Sequence, residues 1–425
     1  IAISLAAVFF FGLPSPAAAQ DEAPPAEEPA APEAAAPSGG EGDETDAAAQ
    51  GEAPAEDQSG SELAPLSLYP NSGGDPSFTC TDDSVDGTPD GICQYFGANA
   101  IQTAINDFTI RGGFGLISVE TGVYNAPADV NINGIPLLTG LVGAGSSQVN
   151  WTFTSGFGLS VSNMTAGFTL KGFEIIGNKA GDLINFDNNA GTLTLDDLVI
   201  RNDNTNGNGL TVTNQTGAVK ASNIKANRNG EHGARIETSG AVTISNSSFD
   251  YNYGPFALKI IATSAITLNG VSASYNYSGD GAFLQAGSGV TIKNSSFSNN
   301  QNGSDDALGH GVWIEPMTKG NILIENTFAR GNEQDNLHLN TKSGTVTLKN
   351  INAQSTSHGY GVFIDNCDLL VMCAAPSKAV TITDLVAGYT KNNGLYVLSN
   401  GAITVTNLDA RFGSGTAGKV KLLNH

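Results

Sequence analysis

The sequence predicts an all-β fold: a right-handed single-stranded parallel β-helix with three strands per coil, roughly 10–12 coils and a short N-terminal capping helix. Three observations predict it. Segments of about two dozen residues recur from Asp197 to the end of the chain. Each segment carries short stretches in which apolar and polar residues alternate with period two. An Asn or Asp recurs at one place in each segment, at Asn223, Asn246, Asn269, Asn294, Asn326, Asn350, Asp384 and Asn407.

The first strand of a coil is seen in Val242–Ile244, Ile266–Leu268, Val290–Ile292, Val346–Leu348, Val380–Ile382 and Ile403–Val405, each with Thr at its centre. Alternation of this kind turns the apolar pair inward and the Thr outward. A second strand repeats the pattern through Ala234/Ile236, Leu258/Ile260, Ala282/Leu284, Val312/Ile314, Leu337/Leu339, Val362/Ile364 and Leu395/Val397. The third begins at the recurrent Asn and sets Ala226, Phe249, Ala273, Phe297, Ala329, Ala353, Ala387 and Ala410 at one level. One coil cannot cover its own apolar face, so coils stack and each side chain meets its counterpart above and below. Asn suits the corner because it tolerates left-handed backbone and its amide bonds nearby chain. The intervals Asn294–Asn326 and Asn350–Asp384 are longer and hold loop insertions. Propellers and leucine-rich repeats need longer units or Leu signatures, and neither is present.

Ahead of the repeats lie Tyr95-Phe96, then Ile101-Gln-Thr-Ala-Ile105-Asn, then Gly115–Tyr124 and Leu138–Gly145. This entrance resembles that of the pectin lyase-like superfamily, in which an amphipathic helix caps the first coil and a Gly-x-Tyr strand follows. The resemblance spans roughly Cys80 to His425. It implies the fold and leaves the activity open, because one scaffold of this kind carries lyases, hydrolases, tailspikes and adhesins.

The chain ends give the domain plan. An apolar run, Leu5–Leu13, followed by Ala17-Ala18-Ala19, reads as part of a secretory signal over residues 1–19. It is too short to span a membrane. Residues 20–62 are mostly Ala, Pro, Glu, Asp, Gly and Ser with no aromatic, a composition expected to form a disordered acidic linker. Residues 63–110 form a lead-in with the capping helix, and 111–425 the β-helix. The final stretch, Gly418–His425, falls where another second strand should start, so the chain is expected to be a fragment of a longer one. The net charge is −22, and the first basic residue is Arg111. Most of the negative charge therefore precedes the body, and the basic footprint of a nucleic-acid binder is absent. In an exported chain the close pairs Cys80/Cys93 and Cys367/Cys373 predict disulfides, the first contributing about 3 kcal/mol by loop entropy. No cofactor is required by the pattern and no metal ligand set is assigned. The acidic turn Asp82–Gly91 resembles half a calcium loop, which leaves Ca2+ open, although Cys93 stands where a terminal Glu is needed.

Function on a solenoid lies on its outward columns. On the second strand the outward residues are Thr211, Arg235, Lys259, Phe283, Trp313, His338, Phe363 and Tyr396, so five successive coils present a ring at a spacing of about 4.8 Å. Gln285, Glu315, Asn340 and Asp365 belong to the next outward column. Rings take the C–H face of a pyranose and amides or acids take its hydroxyls, which makes Phe283, Trp313, His338, Phe363, Tyr396, Gln285, Asn340 and Asp365 the expected substrate-binding set. Rings that only stack on one another satisfy the same pattern.

A column just before that strand contains His232, Phe256, Asp280, His310, Asp335 and Tyr360. Asp280, His310 and Asp335, with Glu315, are the candidate catalytic residues; carboxylates two coils apart would stand roughly 9–10 Å from each other, near the inverting-glycosidase range. Asp305-Asp306 with Gly309-His310-Gly311 is similar to the polygalacturonases, but both motifs share one coil and no Arg-x-Lys follows. Arg235 with Glu237 and Lys259 is the one cluster similar to a lyase base beside acids. The leading expectation is a secreted or cell-surface protein that binds polysaccharide, with an extracellular polysaccharide lyase or glycoside hydrolase as the alternative and the spacer of a large adhesin as a third reading. The enzyme question is left open, leaning against.

Overall fold

The computed structural model describes residues 99–424 apart from 112–114, 155–157, 178–180, 204–205, 304–308, 316–317, 368–377 and 411–419, with the backbone of three short strands, Leu66–Leu68, Phe78–Cys80 and Cys93–Tyr95. The signal segment, the acidic linker, the Asp82–Gly91 turn, Asp305, Asp306 and Cys373 lie outside the described residues. The body is a parallel β-solenoid of about 11 turns with one helix near its start.

Two long parallel ladders run the length of the solenoid. The expected second strand forms one of them, from Val130–Asn133 to Val420–Asn424. The expected first and third strands are joined into single bent strands such as Val242–Ser248 and Val346–Asn352. The join is one residue in the left-handed region: Asn223, Asn246, Asn294, Asn326, Asn350, Asp384 and Asn407 have φ between 47° and 56°. Asn accepts that conformation at low strain, so the backbone turns without breaking the ladder. At one coil the expected position is displaced by a residue. Gly270 (φ 67°) takes the bend, and Asn269 precedes it and accepts the Nδ2–H of Asn294 at 2.8 Å.

Inside, like sits on like. Ala226, Phe249, Ala273, Phe297, Ala329, Ala353 and Ala387 are all buried at one level, as are the paired positions of the other strands up to Val397, whereas Ile403, Val405 and Ala410 on the last described coil are only half-buried. The helix Ala100–Arg111 places Ala100, Ile101, Ala104, Ile105 and Phe108 on its buried stripe over the first coil. It also closes a sheet edge: the Gln102 Oε1 accepts the Asn131 N–H at 2.8 Å.

A second ladder of Asn, not singled out by the repeat, runs inside the corner between third and second strands. Each backbone N–H donates to the side-chain Oδ1 of the Asn one coil on: Asn202 to Asn229, Asn229 to Asn252, Asn252 to Asn276, Asn276 to Asn300 and Asn300 to Asn332, at 2.8–3.2 Å. Asn202, Asn229, Asn252, Asn276, Asn300 and Asn332 are fully buried, so these bonds satisfy corner amides that water cannot reach.

Truncating Asn276 to Ala strands the Asn252 N–H and should lower the urea-unfolding free energy by about 1–3 kcal/mol. Asn350→Gly, which keeps the left-handed bend on the exposed outer ladder, should change it by about 0.5 kcal/mol or less.

Candidate functional site

The outward column expected from the repeat exists as a line of register partners. Thr211 pairs with Arg235, then Lys259, Phe283, Trp313, His338, Phe363, Tyr396 and Lys421 follow, one per coil. Toward the helix end the same column continues through Asn185, Ser160 and Asn131, beside a cavity of about 470 Å³ that Asp129, Asp182 and Asn185 help to line. The face is thus polar at one end, basic in the middle and aromatic at the other.

The rings are half-buried and pack on one another. Phe283 meets Trp313 edge-on at 5.6 Å between centroids, His338 stacks on Phe363 at 4.6 Å and Phe363 on Tyr396 at 5.3 Å. The Lys421 ammonium covers Tyr396 at 5.1 Å. The rings support each other and leave part of each open. The Trp313 Nε1–H is shielded from solvent and has no hydrogen-bond partner. Among the polar set, Asn340 is buried and its Nδ2 donates to the Ile314 carbonyl at 3.3 Å, while the Asp365 Oδ1 accepts the Cys367 N–H at 2.9 Å. Gln285 and Glu315 are half-buried on the same column.

The expected catalytic residues separate into two roles. Asp280 is wholly buried, and its Oδ1 accepts the Gly309 and His310 backbone N–H groups at 2.8 Å each. It fixes the chain that carries His310 and does not face solvent. Asp335 lies at the centre of the other group. Its Oδ2 is 2.6 Å from the His338 Nδ1 and 3.7 Å from the His310 Nδ1, its Oδ1 accepts the Tyr360 N–H at 2.6 Å, and its own N–H donates to the His310 Nδ1 at 3.1 Å. Burial pushes the Glu315 carboxyl up, with His338 nearby pulling the other way. A carboxylate-oriented imidazole next to a carboxyl of raised pKa is able to hold and pass a proton. The lyase-like cluster is committed elsewhere: the Arg235 guanidinium donates twice to the Glu237 Oε1 at 2.7 and 2.9 Å, and Lys259 lies over the Phe256 and Phe283 rings.

Four exposed tyrosines escaped the sequence reading. Tyr251 stacks on Tyr275 at 5.2 Å and Tyr253 on Tyr277 at 4.6 Å, at the corner that leads into the aromatic strand. Their signal was the Tyr-Asn-Tyr triplet repeated one coil apart.

Residues 182–350 match the family model of a right-handed beta helix region. No curated protein matches the sequence. Among solved structures, the chain is similar to the A-module of Azotobacter vinelandii mannuronan C-5 epimerase AlgE6, with 15% identity, 76% of this chain and 93% of that one covered, and a TM-score of 0.51. It also matches pectate lyase Pel9A (17% identity, 84% and 82% covered, TM-score 0.42) and PfbA, a surface adhesin of Streptococcus pneumoniae (12% identity, 84% and 93% covered, TM-score 0.32). The AlgE6 likeness at 15% identity, together with the family-model match, establishes the fold alone, a right-handed parallel β-helix.

His232 lies on the Arg235 coil, three coils before His310, and burial, reinforced by Lys259 and Arg235, pushes its pKa down to about 4. The unfolded chain then binds a proton that the folded one refuses between about pH 6.5 and 4, so this residue's share of stability falls as pH drops through that window and is constant below it. Urea titrations at pH 7 and pH 4.5 should give a shallower loss for His232→Gln, the full effect being on the order of 3 kcal/mol.

Proposed function

We propose that this protein is exported and binds polysaccharide along its outward second-strand face, with the sugar chain lying parallel to the solenoid axis. The observation that carries the reading is the unbroken column Phe283–Trp313–His338–Phe363–Tyr396, about 19 Å from first ring to last. A polymer of flat apolar faces separated by hydroxyls meets rings at regular intervals there. Asp129, Asp182 and Asn185 extend a polar groove along the same line. Rings fixed by their neighbours lose little freedom on binding, which favours a weak contact repeated many times. Among the described residues no helix is long and apolar enough to cross a membrane.

Affinity electrophoresis through gels containing soluble polysaccharides tests this. Trp313→Ala with Tyr396→Ala should run unretarded on the glycan that slows the wild type, while its far-UV circular dichroism stays that of the wild-type β fold. Equal retardation of both proteins removes the reading.

The His310–Asp335–His338 group favours a second reading, a polysaccharide lyase or hydrolase at the same face. In it Asp335 orients imidazole, Glu315 supplies a proton, and Asp280 positions His310. Incubation with acidic and neutral polysaccharides should then release shorter or unsaturated products, and Asp335→Asn should lower that rate by roughly 10²–10⁴-fold. Equal rates in both proteins exclude these residues.

Export carries with it the two disulfides. In support, Cys80 and Cys93 are partners in an antiparallel pair and Cys367 is buried. Peptide mapping without reductant should recover Cys80 linked to Cys93 and Cys367 to Cys373.

A further inference from the structure

We infer that His310, Asp335 and His338 form a binding site for one divalent transition-metal ion of the zinc class, held by two imidazole nitrogens and one carboxylate oxygen. The inference stands whether or not the face binds glycan.

Asp335 and His338 come from one coil and His310 from the coil before, and each places one ligand atom within 4.8 Å of the others. Asp335 offers a single oxygen: Oδ1 is taken by the Tyr360 N–H at 2.6 Å, and Oδ2 faces both imidazoles. In a tetrahedral site with metal–ligand distances near 2.1 Å, ligand atoms stand about 3.4 Å apart. The observed separations from Oδ2, 2.6 Å to the His338 Nδ1 and 3.7 Å to the His310 Nδ1, bracket that value. An ion would part Asp335 from His338 by about 0.8 Å and replace the Asp335 N–H as the partner of the His310 Nδ1.

The surroundings hold the ligands in place. The His338 ring stacks on Phe363, the His310 ring packs edge-on against Trp313 and His338, and the Asp280 carboxylate fixes the His310 backbone. The His310 and Asp335 side chains are 9% and 7% exposed and that of His338 23%, so the group opens to solvent on the His338 side. Three protein ligands with one open side leave a position for water or an oxygen of a bound molecule. Two imidazoles select zinc, cobalt, nickel or copper over calcium and magnesium, which take oxygen alone.

Chelator-treated, untagged protein is titrated with Co2+ in the absence of glycan, followed by visible absorption and calorimetry. The wild type should take one Co2+ per chain with the absorption of a four-coordinate ion, displaced by Zn2+ and unaffected by excess Ca2+. His338→Phe keeps a ring stacked on Phe363 and should weaken binding at least roughly tenfold, as should Asp335→Asn. His358→Gln, which alters an exposed His–Glu pair at Glu333, should leave it unchanged. No uptake by the wild type, or the same affinity and stoichiometry in His338→Phe, overturns the site and leaves a hydrogen-bonded triad. Circular dichroism identifies a variant that fails to fold; if Asp335→Asn does, His338→Phe alone decides.

Discussion

Everything in this molecule depends on coils superposing without offset. Parallel pairing continues from Val130 to Asn424 on one ladder, and each coil presents the same backbone groups to the next. A buried corner then faces a fixed requirement, since its amides have no water and must find acceptors one coil away. The inner asparagines meet it, with each side chain accepting from the backbone of the coil before. The apolar columns and the polar ladder enforce one another: a shift that served either would break both.

The same constraint makes the outer face. Residues that would be unrelated surface side chains in another fold become neighbours at strand spacing, so Phe283, Trp313, His338, Phe363 and Tyr396 form one continuous object. Mutual packing removes part of each ring from water and fixes its orientation. Support of the sheet and the recognition proposed above would therefore draw on the same atoms. The cluster around Asp335 has a parallel origin, because His338 lies three residues along the chain and His310 one coil away, and only stacking brings the latter within reach.

Columns were legible in the sequence because period and alternation are both carried by side-chain type. Aligning Val242, Ile266, Val290 and Val346, or Phe283, Trp313 and Phe363, needed only the recurrence of the unit, and register pairing keeps those residues in line while adding Ile322, which has Leu323 in place of the marker Thr, between Val290 and Val346. Corners were harder. A bend is one residue long, Asn and Gly both accept it, and so Asn269 was aligned where Gly270 turns the chain. The inner Asn ladder lacked any apolar period to mark it. Tyr251 and Tyr275 sit at φ 59°, a conformation that aromatic residues seldom adopt, and no propensity points there. Asp280 was read by column alone, which does not distinguish a carboxylate facing solvent from one turned toward backbone.

The single-residue bend has an evolutionary reading. Because strand pairing joins each coil to the coils beside it, adding or deleting a whole unit beyond the Ser146–Asp197 bridge leaves the remaining strand partners in place, whereas one extra residue within a strand would turn its apolar side chains outward. Length change is thus confined to whole turns or to corners. The two long intervals of this chain, Asn294–Asn326 and Asn350–Asp384, each pass through a strand of the aromatic face, at Trp313 and at Phe363. Selection can therefore remodel the rim of that face by lengthening corners while the scaffold beneath keeps its dimensions.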